Sequence, residues 1–180
     1  MNSKELVDIN NLPKDINVFD VKNFEDERGY LRCLFESSNQ ISPLSLNALK
    51  ISYSKKNVAR GLHWQKLSNP QSKLVTVLSG KILDILVNLD KSSENFGHVY
   101  KFILESGMKK MVLVPANYAH GFLALENTLF LYACSGAYNE NAEISISLTD
   151  YISKFVNATE LIQSKKDKLA VPLTHAKKII

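Results

Sequence analysis

Cysteine is scarce in this sequence of 180 residues: Cys33 and Cys134 are the two present, with no CxxC pair and no cluster of metal-ligand type. That excludes a disulfide-stapled scaffold and leaves two buried thiols as the expectation. Long apolar runs are also missing. Met111–Pro115 and Gly121–Leu125 fall far short of the ~20 residues a membrane-spanning helix requires. The opening MNSKELVDINNLPKD lacks the apolar core of a secretory signal, so a cytoplasmic protein is expected. Charge of one sign is weak as well, with a formal net charge of +4. Much of that excess comes from Lys165, Lys166, Lys168, Lys177 and Lys178, which read as a solvated face; no aromatic residues interleave with them, so nucleic acid is not an expected partner. Neither an internal repeat nor a Pro/Ser/Gly-rich linker divides the chain, and one domain over residues 1–180 follows. Hydrophobic residues at 45% and charged residues at 22% are enough for a packed core.

What fills the middle of the chain is a series of short β-branched and aromatic runs punctuated by Gly, Asn, Asp and Ser. Expected strands are Val18–Lys22, Tyr30–Phe35, Asn47–Ser54, Lys73–Leu78, Lys81–Asn88, Val99–Leu104, Lys110–Val114, Gly121–Leu125, Leu129–Ala133 and Glu143–Ser147. Gly80, between two of these, has the permissive backbone of a tight hairpin. Asp150–Val156 and Thr159–Ser164 have weak helical character, and Pro172 stops any extension. The class is therefore all-β, a sandwich or barrel closed by short C-terminal helices.

Two histidines sit in chemically suggestive company. Arg60-Gly61-Leu62-His63-Trp64-Gln65 joins a cation, a glycine and an imidazole, and Pro115-Ala116-Asn117-Tyr118-Ala119-His120-Gly121-Phe122 sets a second imidazole between a turn and a strand. A histidine beside apolar residues is by itself more often structural than catalytic. With Phe24-Glu25-Asp26-Glu27-Arg28-Gly29 before these motifs, Lys73-Leu74-Val75, Gly80 and Asp84 between them, and Tyr132, Tyr138 and Ser164-Lys165-Lys166-Asp167 after them, the order is specific. From Phe24 to about Leu173 the chain resembles the dTDP-4-dehydrorhamnose 3,5-epimerase family, a branch of the cupin-type jelly-roll barrels.

The resemblance implies an isomerase that inverts C3 and C5, or C3 only, of a nucleotide-diphospho-4-keto-6-deoxy sugar. The first candidate is the conversion of dTDP-4-dehydro-6-deoxyglucose to dTDP-4-dehydrorhamnose for a deoxysugar or surface-polysaccharide pathway. A hydrogen beside a ketone is weakly acidic, so its removal needs a base and a group that stabilises the enolate. The resemblance makes His63 the base, Asp167 the carboxylate that orients it, Lys73 the cation at the enolate oxygen and Tyr132 the acid on the opposite face. It gives His120 to the same oxygen, with Asp84 as a possible orienting group, Arg60 to the diphosphate, and Tyr138, Glu143 and Phe24 to the sugar and base. Guanidinium matches phosphate oxygens in forked geometry, and Arg28 would supply a second one across the interface of a homodimer. Residue by residue, Lys73 also reads as a strand-edge lysine, the tyrosines as cross-strand packing and Asp167 as a surface acid.

The chemical rival is a metal-binding cupin, but Gln65 stands two residues after His63 where a second histidine ligand would be needed, and His98 falls in a turn before another strand. Neither metal nor cofactor is expected. The chain departs from the family where Gln-x-Asn-x-Ser becomes Ala48-Leu49-Lys50-Ile51-Ser52, near Cys33, and where Trp-Asn-Asp becomes Leu148-Thr149-Asp150. An intact reacting centre beside altered contacts points to a changed nucleotide or sugar. A sugar ketoisomerase on a related barrel and a non-catalytic nucleotide-sugar-binding cupin are the competing readings.

Overall fold

The short β-branched and aromatic runs seen in the sequence are realised as pleated strands whose successive side chains point to opposite faces of a sheet. The structure, a computed structural model, describes residues 6–35 and 46–180. Met1–Glu5 of the N-terminal stretch read above lie outside the described residues. The strands are β1 (Asn17–Asp20), β2 (Asn23–Asp26), β3 (Gly29–Arg32), β4 (Leu46–Ser54), β5 (Ala59–Gln65), β6 (Lys73–Ser79), β7 (Lys81–Asn88), β8 (Val99–Glu105), β9 (Lys110–Val114), β10 (Tyr118–Ala124), β11 (Thr128–Ser135) and β12 (Glu143–Ser145). Short helices α1 (Thr149–Ile152), α2 (Lys165–Lys168) and α3 (Leu173–Ile179) follow.

Two five-stranded antiparallel sheets form, ordered β1-β9-β6-β11-β4 and β12-β5-β10-β7-β8, with β2 and β3 as a separate hairpin. Val75, Val77, Val112, Val114 and Phe130 of the first sheet pack against Ile82, Leu86, Phe102, Leu104 and Phe122 of the second, filling the interior between them. Two packed antiparallel sheets agree with the sandwich or barrel expected from the strand spacing, and with the cupin-type jelly roll that the resemblance implies. The outer face of the second sheet, with Leu62, Trp64, Leu83, Ile85, Val87, Ala119 and Leu123, is equally apolar. The C-terminal segment covers it through Leu148, Ile152, Val156, Leu161, Val171, Leu173 and Ala176. Among the described residues no helix is long and apolar enough to cross a membrane.

Several expectations change. Gly80 does not close a hairpin: β6 and β7 belong to opposite sheets, so it turns the chain from one layer to the other. Its φ of +87° and the 2.3 Å that would separate a Cβ from the Asn127 carbonyl oxygen explain the glycine. Strand β5, which carries His63, was absent from the expected strands, and His120 lies inside β10 rather than before a strand. The expected strand Tyr30–Phe35 ends at Arg32, and Cys33 is exposed, leaving Cys134 as the buried thiol. Residues 159–164 are turn and bridge rather than helix, because Ile162 pairs with Val58 as an isolated β-bridge. Of Asp150–Val156, the helical part is confined to α1. Pro172, expected as a stop, caps the start of α3, where its missing N–H costs nothing.

The packing of the C-terminal segment is open to test. Ile152→Ala, at a buried position, is expected to lower unfolding free energy by about 2–5 kcal/mol in urea titration. Leu169→Ala, at an exposed one, is expected to stay within about 0.5 kcal/mol.

Candidate active site

Between the sheets the apolar filling gives way to a cavity of about 290 Å³ lined by aromatic and charged side chains together. His63 and Arg60 reach it from β5, His120 from β10, Lys73 from β6, Tyr132 from β11, and Asp167 from α2. Arg60 and His63 are three residues apart, so plain alternation would send them to opposite faces. The register with β10 shifts between them, pairing His120 with His63 and Phe122 with Arg60, and this bulge turns both side chains inward. Gly61 and Gly121 permit the close approach there: a Cβ on Gly61 would meet the His120 carbonyl oxygen at 2.7 Å, and one on Gly121 the Arg60 oxygen at 2.5 Å.

His63 Nε2 lies 2.7 Å from Asp167 Oδ1. An ionised carboxylate only accepts, so the ring donates through Nε2–H and its free electron pair is on Nδ1. Ser164 caps α2 and donates to Asp167 Oδ2 at 2.8 Å, so both carboxylate oxygens are engaged. Burial disfavours the charged Asp167, but the bonds from His63 and Ser164 outweigh it and hold the carboxyl below its ordinary value. Glu143, from β12, contacts Lys166 Nζ at 3.0 Å and lies 3.8 Å from His63 Nε2. Burial again opposes its charge, and the Tyr138 hydroxyl and Lys166 prevail, keeping it low. His120 Nε2 is 2.7 Å from Oδ1 of fully buried Asp84.

Burial pushes the Lys73 ammonium below the usual lysine range. Tyr132 stands on the sheet opposite His63, its ring tilted against Phe130 at 5.5 Å between centroids. Arg60 donates to Ser54 Oγ at 3.0 Å and to the Tyr53 carbonyl at 3.1 Å, which aims the guanidinium along the cavity wall. The cavity acids are thus engaged by His63 and Lys166, while Lys50, Arg60 and Lys73 bring positive charge to its lining, an arrangement suited to an anionic ligand.

The structure brings His63, Asp167, Lys73, Tyr132, Arg60, His120, Tyr138 and Glu143 to one cavity. It does not bring Arg28 or Phe24 there: both lie on the β2–β3 hairpin, Phe24 exposed and Arg28 paired with Asp26. Residues the sequence reading left without a role are Ser164, Lys166 and Lys50. Alternation along β4 from Ser52 and Ser54, buried on the inner face, would have placed Lys50 inward. Among the described residues no group of three or more His, Cys, Asp or Glu is placed to hold a metal ion.

The family model for dTDP-4-dehydrorhamnose 3,5-epimerase matches residues 12–175. The chain belongs to this family. It is an epimerase. A dTDP-4-dehydrorhamnose 3,5-epimerase from Salmonella typhimurium is 37% identical over 144 residues, 76% of this chain and 77% of the relative. The crystal structure of the enzyme from Sulfolobus tokodaii superposes with a TM-score of 0.82 at 34% identity, covering 91% of this chain and 93% of the other. A Legionella pneumophila 3,5-epimerase solved with dTDP-4-keto-L-rhamnose gives 0.80 at 29% identity, covering 90% and 89%.

The lowered Asp167 and Glu143 carboxyls tie part of the folding stability of this epimerase to pH. A carboxyl depressed in the folded state contributes fully above its unfolded pKa and loses that contribution as pH falls through the lower folded value. The urea midpoint is expected to drop on acidification below about pH 4. Asp167→Asn is expected to lower the midpoint at pH 7 and flatten the acid drop; an unchanged acid slope would remove Asp167 from this account.

Proposed function

We propose that the protein epimerises C3 and C5 of dTDP-4-dehydro-6-deoxyglucose, giving dTDP-4-dehydrorhamnose, by proton transfer across the cavity. The observation that carries the reading is the facing of the two walls: His63 on one sheet, bonded to Asp167 of α2, and Tyr132 on the other, with Lys73 in the same lining. His63 Nδ1 takes the proton from the carbon beside the ketone, and the C–H electron pair becomes the C=C bond of an enolate. The negative charge moves to the ketone oxygen, where the Lys73 ammonium and the His120 ring meet it. Tyr132 then gives its hydroxyl proton to the opposite face of the same carbon, inverting it. The resulting phenolate and imidazolium return to their starting states by exchange with water. Arg60 holds the diphosphate, and Tyr138 and Glu143 border the sugar.

A second copy of the chain completes the site in this reading, bringing Arg28 to the diphosphate and Phe24 to the base. Support comes from the exposure of Phe24, Tyr30 and Leu31 on the hairpin, and of Leu49, Ile51 and Tyr53 along β4, an edge strand of its sheet.

Incubation with dTDP-4-dehydro-6-deoxyglucose in deuterated water is expected to place deuterium at both C3 and C5, read by mass and NMR. Label at C3 alone would replace the double epimerase with a single-site enzyme. His63→Ala is expected to slow exchange by about a thousandfold with the fold retained, and exchange near the unsubstituted rate would remove His63 as base. Mixing inactive His63→Ala with inactive Arg28→Ala is expected to restore turnover, because a mixed dimer has one site with neither defect. No recovery from a mixture shown to exchange subunits would refute the shared site.

A further inference from the structure

Gln65 stands two residues along β5 from His63 and lines the same cavity, yet the reaction above gives it no part. It is 6% exposed. Its amide is fully used: Nε2 donates to the Asn69 carbonyl at 2.8 Å and to the Ala137 carbonyl at 3.1 Å, and Oε1 accepts from the Asn139 N–H at 2.8 Å. Ala137 and Asn139 are the residues on either side of Tyr138. One side chain therefore holds the backbone before and after the tyrosine. The loop is tied again where Asn139 Nδ2 donates to Asn69 Oδ1 at 3.3 Å.

The Tyr138 ring gains from such support because it stands exposed on a loop. The side chain is exposed, with the Lys50 ammonium 5.4 Å from its centroid and Glu143 beside its hydroxyl. A residue on a loop holds its orientation only as well as the backbone beneath it. The amide is also directional. Two acceptors face its nitrogen and one donor faces its oxygen, so a carboxylate of the same size would meet two carbonyl oxygens, a leucine would take the partner from three backbone groups, and an asparagine would fall short.

We propose that Gln65 is a positioning residue that fixes Tyr138 at the sugar end of the cavity, acting through the loop and not on the substrate. This rests on the reading of Tyr138 as a wall of the sugar site. The position where a metal-binding barrel would need a second histidine organises a substrate wall instead.

The test separates the clamp from the chemistry. In the ligand-free protein, Gln65→Leu is expected to speed amide hydrogen exchange at Asn139 by about tenfold or more, with Leu83 and Ile85 in β7 unchanged. With dTDP-4-dehydro-6-deoxyglucose as substrate, Gln65→Leu is expected to raise KM about tenfold and change kcat by less than about threefold. Tyr138→Ala is expected to do the same, and the double variant to be no worse than Tyr138→Ala alone. Unchanged exchange at Asn139, an effect on kcat with KM intact, or losses that multiply in the double variant would each overturn the proposal. Gln65→Glu, read in the same cycle, serves where the leucine variant does not fold. Absence of turnover in the unsubstituted protein would sink the epimerase reading alone, since the exchange at Asn139 still decides the clamp.

Discussion

The hydrogen bond between His63 and Asp167 joins residues 104 positions apart, and much of the structure exists to make it. Asp167 sits on a helix of four residues, too short to be stable alone. It is held in place from outside: Leu161 and Val171, on either side of α2, pack on the apolar outer face of the second sheet, and backbone bridges join Val58 to Ile162 and Ile146 to Val171. The apolar cover over that face is therefore also what delivers a carboxylate to the cavity. Without it, Asp167 would be one more acid in a lysine-rich tail.

Burying charge between two sheets is costly unless each charge has a partner. The cavity meets this unevenly. Asp167 is satisfied on both oxygens and Glu143 is matched by Lys166, so the acids are stable as they stand. The Lys73 ammonium instead has a depressed proton affinity, and Arg60 is held by neutral acceptors that leave its charge uncancelled. In the proposed reaction that imbalance is met by the substrate, whose diphosphate is permanently anionic and whose ketone oxygen becomes so at the enolate.

The strands were legible in the sequence because β-branched and aromatic runs bounded by turn residues need only neighbouring positions to be read. Most expected strands match, and the shortfall falls where tertiary contacts override local pattern. Strand β5 escaped because Gly61 interrupts it and Arg60, His63 and Gln65 break the apolar run, while the bulge that turns Arg60 and His63 the same way depends on β10. Gly80 looks locally like a hairpin glycine, and only the assignment of β6 and β7 to different sheets shows that it is a crossover. The cavity residues were legible through motif order. Ser164, Lys166 and the Gln65 clamp were not, since each acts through a partner fixed by folding.

The two histidine–carboxylate pairs share a 2.7 Å separation but differ in what surrounds them. The His63 side chain is 34% exposed and Asp167 has both oxygens bonded; the His120 side chain is 6% exposed and Asp84 has one oxygen, Oδ2, with no partner among the described residues. In the proposed reaction the base must return its proton to solvent after each turnover, and the exposure of His63 meets that need. A group that only meets developing charge gains from being sealed away, because electrostatic interactions strengthen as water is excluded. In that proposal the same pair of side chains suits proton transfer where it is exposed and charge stabilisation where it is buried. The difference lies in burial, which the sheets set and the motifs do not.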